Sequence, residues 1–148
     1  MMKSVPRITK LQLHLKPAEE FSIIGIVSAD PDYKLSLAIN KKLKISLKSN
    51  EPVRIRDVNN NESAFSKFSF HDWETEITYN LFSNRNGQSY LIKKLKNIDY
   101  IFQIFHQDGD NGKTREIISI LKDTPSATAL FEIPLQDLKD KNLRYLIQ

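Results

Sequence analysis

"YIFQIFHQDGDNGKTREIISILKDTPSATALFEI", residues 100–133, decides the fold. Its first six residues form the most apolar strand pattern in the chain, a core strand. "QDGDNGK" is loop composition, with Asp, Asn and Gly in turn-forming order. "TREIISILKD" gathers Ile117, Ile118, Ile120 and Leu121 on one broad face of a short helix. After the "TPSA" turn, "TALFEI" alternates Ala129, Phe131 and Ile133. Strand, helix, strand in that order sets the two strands in the same sense, joined by a right-handed crossover.

Outward from there, the front of the chain offers a second unit of the same kind. "FSIIGIVS" (21–28) is apolar on both parities, as a central strand is. Gly25 in its middle predicts a bulge or a closely approaching neighbour. Asp30 and Pro31 then read as a helix start, the acid accepting from free amides and the proline at the first helical position. Leu35, Ala38, Ile39 and Leu43 share one face of a helix over Pro31 to Leu43, and "KISLK" (44–48) reads as a short strand. Ahead of this unit, "TKLQLHL" (9–15) alternates as a half-buried strand.

Between the two units lies a run of antiparallel strands. "SNEP" and "DVNNNES" are loop composition, with Val53 and Ile55 as a brief edge strand between them. "AFSKFSF" puts Phe68 and Phe70 on one parity, and beyond "HDWET" the parity flips to Ile77, Tyr79 and Leu81. A hairpin with its tip at Asp72 to Thr75 explains the flip. "SNRNGQ" turns at Gly87, which favours positive φ; "SYLI" continues as strand, and "KKLKN" is a corner. "PLQDLKDKNLRYLI" reads as one weak helical turn and a frayed tail.

The expectation is a single α+β domain spanning 1–148, with 1–8 and 141–148 as frayed ends. Its sheet is mainly antiparallel, with two main helices on one face: a ferredoxin-like sandwich with an inserted hairpin region. With 148 residues, 40% apolar and 27% charged, the composition is that of a soluble globular protein. No apolar run reaches the roughly 20 residues of a membrane-spanning helix. The start "MMKSVPRITK" has no apolar core after its charge, and the absence of cysteine fits a cytoplasmic protein.

Charge is uneven. Net charge is +4, yet Lys34, Lys41, Lys42, Lys44, Lys48, Arg54 and Arg56 face only Glu51 across residues 34–56. Lys41, Lys42, Lys44, Lys48, Arg54 and Arg56 are therefore the candidate nucleic-acid contacts, against the simpler reading of a solvated face. Trp73, the one tryptophan, is either folded back onto the sheet or an exposed anchor for a partner. His71, Asp72, Glu74 and Glu76 read as solvated charges rather than a metal site.

Catalytic and cofactor motifs do not assemble. Neither G-x-G-x-x-G nor G-x-x-x-x-G-K-[ST] occurs, and the three histidines are widely spaced. "DGDNGK" fails as an EF-hand, since Lys113 and Ser119 stand where glycine and glutamate are required. No metal and no cofactor are expected. "KFSFHDWE" does not meet the RNA-recognition signature.

"IKKLKNIDY" (92–100) places Ile92, Ile98, Asp99 and Tyr100 at the positions of the IPExxxVDY motif, with isoleucine for valine and Lys93–Lys94 for its Pro-Glu pair. "FSIIGIVS" followed by "DYKLSLAINKKL", with Asp32, Tyr33, Leu35, Asn40 and Leu43, is similar to the front of that family, and "TALFEI" to its closing strand. Over residues 9–135 the chain thus resembles the IPExxxVDY proteins, small bacterial proteins with no activity to carry over.

Asp99 lies where a polar corner enters a core strand, and its carboxylate is expected to accept two unpaired corner amides. Tyr100 would pack its ring and send its hydroxyl to the rim. The candidate binding residues are Asp99, Tyr100, Asp32, Tyr33 and Trp73. The functional expectation is a non-catalytic binding or assembly domain, acting on a protein partner or on itself and not on a membrane. Two alternatives stand beside it: an RNA-associated accessory protein using residues 41–56, and an enzyme with a cleft near Asp99 and Asp32.

Overall fold

A computed structural model describes residues 21–106, 112–138 and 140–146 of the chain. The expected strand at 9–15 and the tail at 1–8 lie outside the described residues. Strands β1 (Phe21–Val27), β2 (Lys48–Arg56), β3 (Glu62–Asp72), β4 (Ile77–Ser83), β7 (Tyr100–Phe105) and β8 (Ala129–Ile133) form one sheet in the order β2-β3-β4-β7-β1-β8. Every neighbouring pair is antiparallel. Short strands β5 (Arg85–Asn86) and β6 (Ser89–Tyr90) pair as a separate hairpin. Helix α1 spans Asp32–Leu43 and α2 spans Lys113–Leu121. The chain is an α+β protein.

β7 and β8 are both antiparallel to β1, so they run in the same sense with β1 between them. The strand–helix–strand unit is therefore a split one. β8-β1-β7-β4 reproduces the order of the β-α-β-β-α-β sandwich. β2 and β3 are the insertion, placed after α1 and extending the sheet beyond β4.

Alternation along the strands makes both faces of the sheet apolar. Ile24, Ile26, Tyr79, Leu81, Phe102 and Ile104 face the helices, meeting Leu35 and Ile39 of α1 and Ile117 and Leu121 of α2. Phe21, Ile23, Phe65, Phe82 and Ile101 face the other way. Gly25 also points to that second side and is unbulged. A Cβ there would lie 2.9 Å from Ile98 Cδ1, so the close neighbour is the reason for glycine.

Several expectations are corrected. "KISLK" is not a strand: Asn40 exchanges two side-chain hydrogen bonds with the Leu47 backbone, holding 44–47 as a loop after the left-handed Lys44. "SNEP" is not a loop but part of β2, whose pairing slips between Asn50 and Val53. That position suits Pro52, which has no amide to donate to a ladder. Asp30 does not cap α1; Pro31 is the N-cap, and the Asp30 carboxylate instead accepts from Ser126 Oγ at 2.5 Å. "SYLI" is strand only over Ser89–Tyr90. Ile120 is 40% exposed, so the apolar face of α2 is narrower than expected.

The largest correction is at the C-terminal end. Residues 141–146 are not a frayed tail but a 3-10 helix, Lys141–Leu146, preceded by another at Leu135–Asp137. Leu138 and Leu146 are buried against the second sheet face. No described helix is long and apolar enough to cross a membrane.

Candidate functional site

Residues 91–98 cross the second face of the sheet without regular pairing, and a single side chain organises them. Asn84, fully buried just after β4, donates from Nδ2 to the carbonyls of Leu95 (2.8 Å) and Ile98 (3.0 Å). Its Oδ1 accepts the Ile92 amide at 2.8 Å. An irregular buried segment must satisfy its peptide groups somewhere, and here a carboxamide does what a neighbouring strand does elsewhere. Asn142, also buried, donates to the Leu91 carbonyl at 2.7 Å, and the Lys93 amide donates to Asp140 Oδ2 at 3.1 Å. These bonds tie the Lys93–Leu95 3-10 turn to the C-terminal 3-10 helix.

The outcome is a cleft of about 600 Å³ into which Arg56, Lys93, Lys96, Lys141 and Arg144 converge. Ile55 and Phe65 line it from the sheet, together with Tyr90 of β6 and Tyr145 of the C-terminal 3-10 helix. Asp57, the one carboxylate among its described lining residues, already accepts the amides of Asn59 and Asn61 at 2.9 Å, and the Asn61 amide above all holds that carboxyl below its usual pKa. Arg56 lies 3.7 Å from Glu62. Among the described residues, Lys93, Lys96, Lys141 and Arg144 form no ion pair. Like charges gathered around a concave, partly apolar wall focus a positive potential there. Arg144 also lies over the Tyr145 ring, 5.1 Å from its centroid.

The Lys93–Lys96 turn also borders a second, shallow and open hollow, lined by Lys93, Lys94, Lys96, Ile98, Phe131 and Ile133. Phe131 stands 49% exposed on the edge strand β8. Lys93 and Lys96 line both hollows, so the turn is the wall between them.

The sequence candidates fall elsewhere, with one exception. Asp99 is bonded within its own chain: Oδ2 accepts the Ser28 amide (2.9 Å) and Oδ1 accepts Arg85 Nη2 (2.6 Å). One amide and a guanidinium replace the two corner amides expected. Tyr100 buries its ring, and its hydroxyl donates to the Asp30 carbonyl at 2.6 Å. Burial first, then the carboxylates of Asp32, Asp99 and Asp30, push that hydroxyl up to about 12.

Asp32 accepts the amide of its neighbour Tyr33, whose own side chain is exposed. None of these four residues lines either cavity. Trp73 is 79% exposed at the β3–β4 tip, with its ring 4.2 Å from that of His71, so the fold-back onto the sheet does not occur. Of the basic residues at 41–56, only Arg56 reaches the cleft. Lys41 and Lys42 are exposed at the end of α1, with Lys44 just beyond it. Lys48 and Arg54 sit on β2, and Arg54 is 3.8 Å from Glu62.

Lys93, Lys96, Lys141 and Arg144 were missed because "KKLKN" read as a corner and 141–148 as a tail, and Tyr90 because "SYLI" read as a strand. The signal available was that both segments are locally basic. Comparison of the chain with protein-family models and with curated proteins finds no match to either.

Proposed function

We propose that this chain is a binding domain for a phosphate-bearing ligand, held in the cleft between β3, the β5–β6 hairpin, the Lys93–Lys96 turn and the C-terminal 3-10 helix. The observation that carries this reading is the meeting of Lys93, Lys96, Lys141 and Arg144 in one hollow, none of them ion-paired among the described residues. Aligned donors of this kind form charge-assisted hydrogen bonds to phosphate oxygens, with arginine presenting a planar fork. Rigidity supports the same reading, because the buried Asn84 and Asn142 amides fix the turn that carries the lysines before any ligand arrives.

The reading keeps the binding-domain expectation and moves its site away from residues 41–56. An enzyme built on Asp99 has no observation in its favour, since both carboxylate oxygens are engaged in the scaffold. We propose likewise that the chain belongs to the IPExxxVDY family and is cytoplasmic. The first is supported by Ile92, Ile98, Asp99 and Tyr100, the second by the lack of cysteine.

Calorimetric titration with inorganic tripolyphosphate tests the site. Lys93→Glu with Lys96→Glu is expected to weaken binding at least about tenfold, through lost contacts and reversed charge. Lys41→Glu with Lys42→Glu should leave it within about twofold, the effect of a remote screened charge. The opposite pattern would return the site to the helix end and remove this proposal.

A further inference from the structure

We infer that the ligand is a single-stranded nucleic acid, laid across the Lys93–Lys96 turn so that its phosphates meet the lysines and its bases enter the two flanking hollows. This rests on the phosphate-binding reading of the first cleft and extends it to a second.

Three features select a strand over a compact anion. First, the lysines are not confined to one pocket: Lys93 and Lys96 are shared by both hollows, and Lys94 faces only the second. A free nucleotide has no use for both sides of the wall. Second, each hollow has an aromatic side chain at hand. Tyr90 lines the first, with the Arg85 guanidinium 5.9 Å from its ring centroid, and Phe131 is half exposed in the second.

An exposed phenylalanine beside a lysine row is the pairing that single-strand binders use, stacking bases on rings while cations track the backbone. Third, size fits. The first hollow falls within the roughly 300–1,000 Å³ of organic ligand sites, the second is open enough to admit a base from the side, and the three-residue 3-10 turn between them, at a rise of about 2 Å per residue, is only about 6 Å long. A duplex does not suit this arrangement, because its bases are stacked inside and unable to enter either hollow. An acidic peptide would satisfy the lysines but gives the exposed Phe131 ring no base to stack on.

The test is fluorescence anisotropy on the full chain with labelled octauridylate and octathymidylate. Inorganic tripolyphosphate, a polyglutamate of matched charge and an RNA duplex serve as competitors. Tight binding of one or both octamers is expected, the preferred sugar identifying RNA or DNA. The log–log salt slope should be about −2 to −3, from roughly 0.7 per phosphate neutralised on a single strand. Phe131→Ala should weaken the octamer about 5- to 100-fold, the range of base–aromatic stacking, while tripolyphosphate binding is unchanged.

If the octamer binds no more tightly than tripolyphosphate, or Phe131→Ala leaves its affinity unaltered, the strand is wrong while the phosphate cleft stands. If polyglutamate or the duplex competes as well as the octamer, the ligand class is wrong. Failure of tripolyphosphate and octamer alike removes both readings. Phe131 is an edge residue outside the core, so a thermal melt of the variant separates lost binding from lost folding.

Discussion

The two faces of the sheet are built by different means. On one, α1 and α2 lay Leu35, Ile39, Ile117 and Leu121 onto Phe102, Ile104 and Tyr79, and the helices satisfy their own peptide groups. On the other, the cover is irregular: two 3-10 segments and the turn at 91–98, whose peptide groups are satisfied by buried amide side chains. Asn84 and Asn142 hold the turn, and Gln103, fully buried on β7, donates to the Leu146 carbonyl while accepting from Asn80. Regular cover gives apolar packing and a closed surface. Irregular cover leaves hollows between its segments, and those hollows are where the lysines gather.

That comparison breaks if the amide-held face proves dispensable. Phe102→Ala should cost about 3–5 kcal/mol, as truncation of a buried aromatic does. Asn84→Ala should cost about 3 kcal/mol or more, because it strips partners from the Ile92 amide and from the Leu95 and Ile98 carbonyls together. Denaturant unfolding of both variants is the check, and an Asn84→Ala loss below about 1 kcal/mol would show that packing alone holds this face.

Next in size, below both faces, comes Asp99, whose carboxylate joins the end of β1 to Arg85 across the rim. Asp99→Ala is expected to cost about 1–3 kcal/mol by thermal melting, and a variant that melts like its parent removes the scaffold role.

The smallest effect sharpens the helix-side face. Tyr100 keeps its proton in the folded chain up to about pH 12, whereas an unfolded tyrosine loses it near 10. Stability from this group is therefore fully present below about pH 10 and is lost as pH rises through 12. Tyr100→Phe should flatten part of that decline in a pH series of melts. Part will stay, since burial raises Tyr79 as well.

Strands and helices were legible where one face of an element is apolar and the local pattern is long enough to show it. The parity flip across residues 70–77 located the β3–β4 hairpin, and residues 100–133 gave the split strand–helix–strand unit. The extension of β2 through "SNEP" was not legible, because turn-forming residues are tolerated on an edge strand with a bulge. Nor was the C-terminal cover. Leu138, Asn142 and Leu146 are buried four residues apart, but with a polar asparagine between the two leucines no continuous apolar stripe announces them. The cleft fared worst. Its cations stand at 56, 93, 96, 141 and 144, and only Arg56 lay in the basic stretch from which contacts were expected; the fold brings together the rest.

Gly25 bears on all of this from beneath. The missing side chain leaves room for the ends of Ile98 and Ile133 over the β1 backbone, and both residues line the second hollow. A single absent methyl group therefore acts as the shim that seats two side chains of that hollow against the sheet. Restoring it would push those two side-chain ends aside and reshape the second hollow, from a position that lines neither hollow.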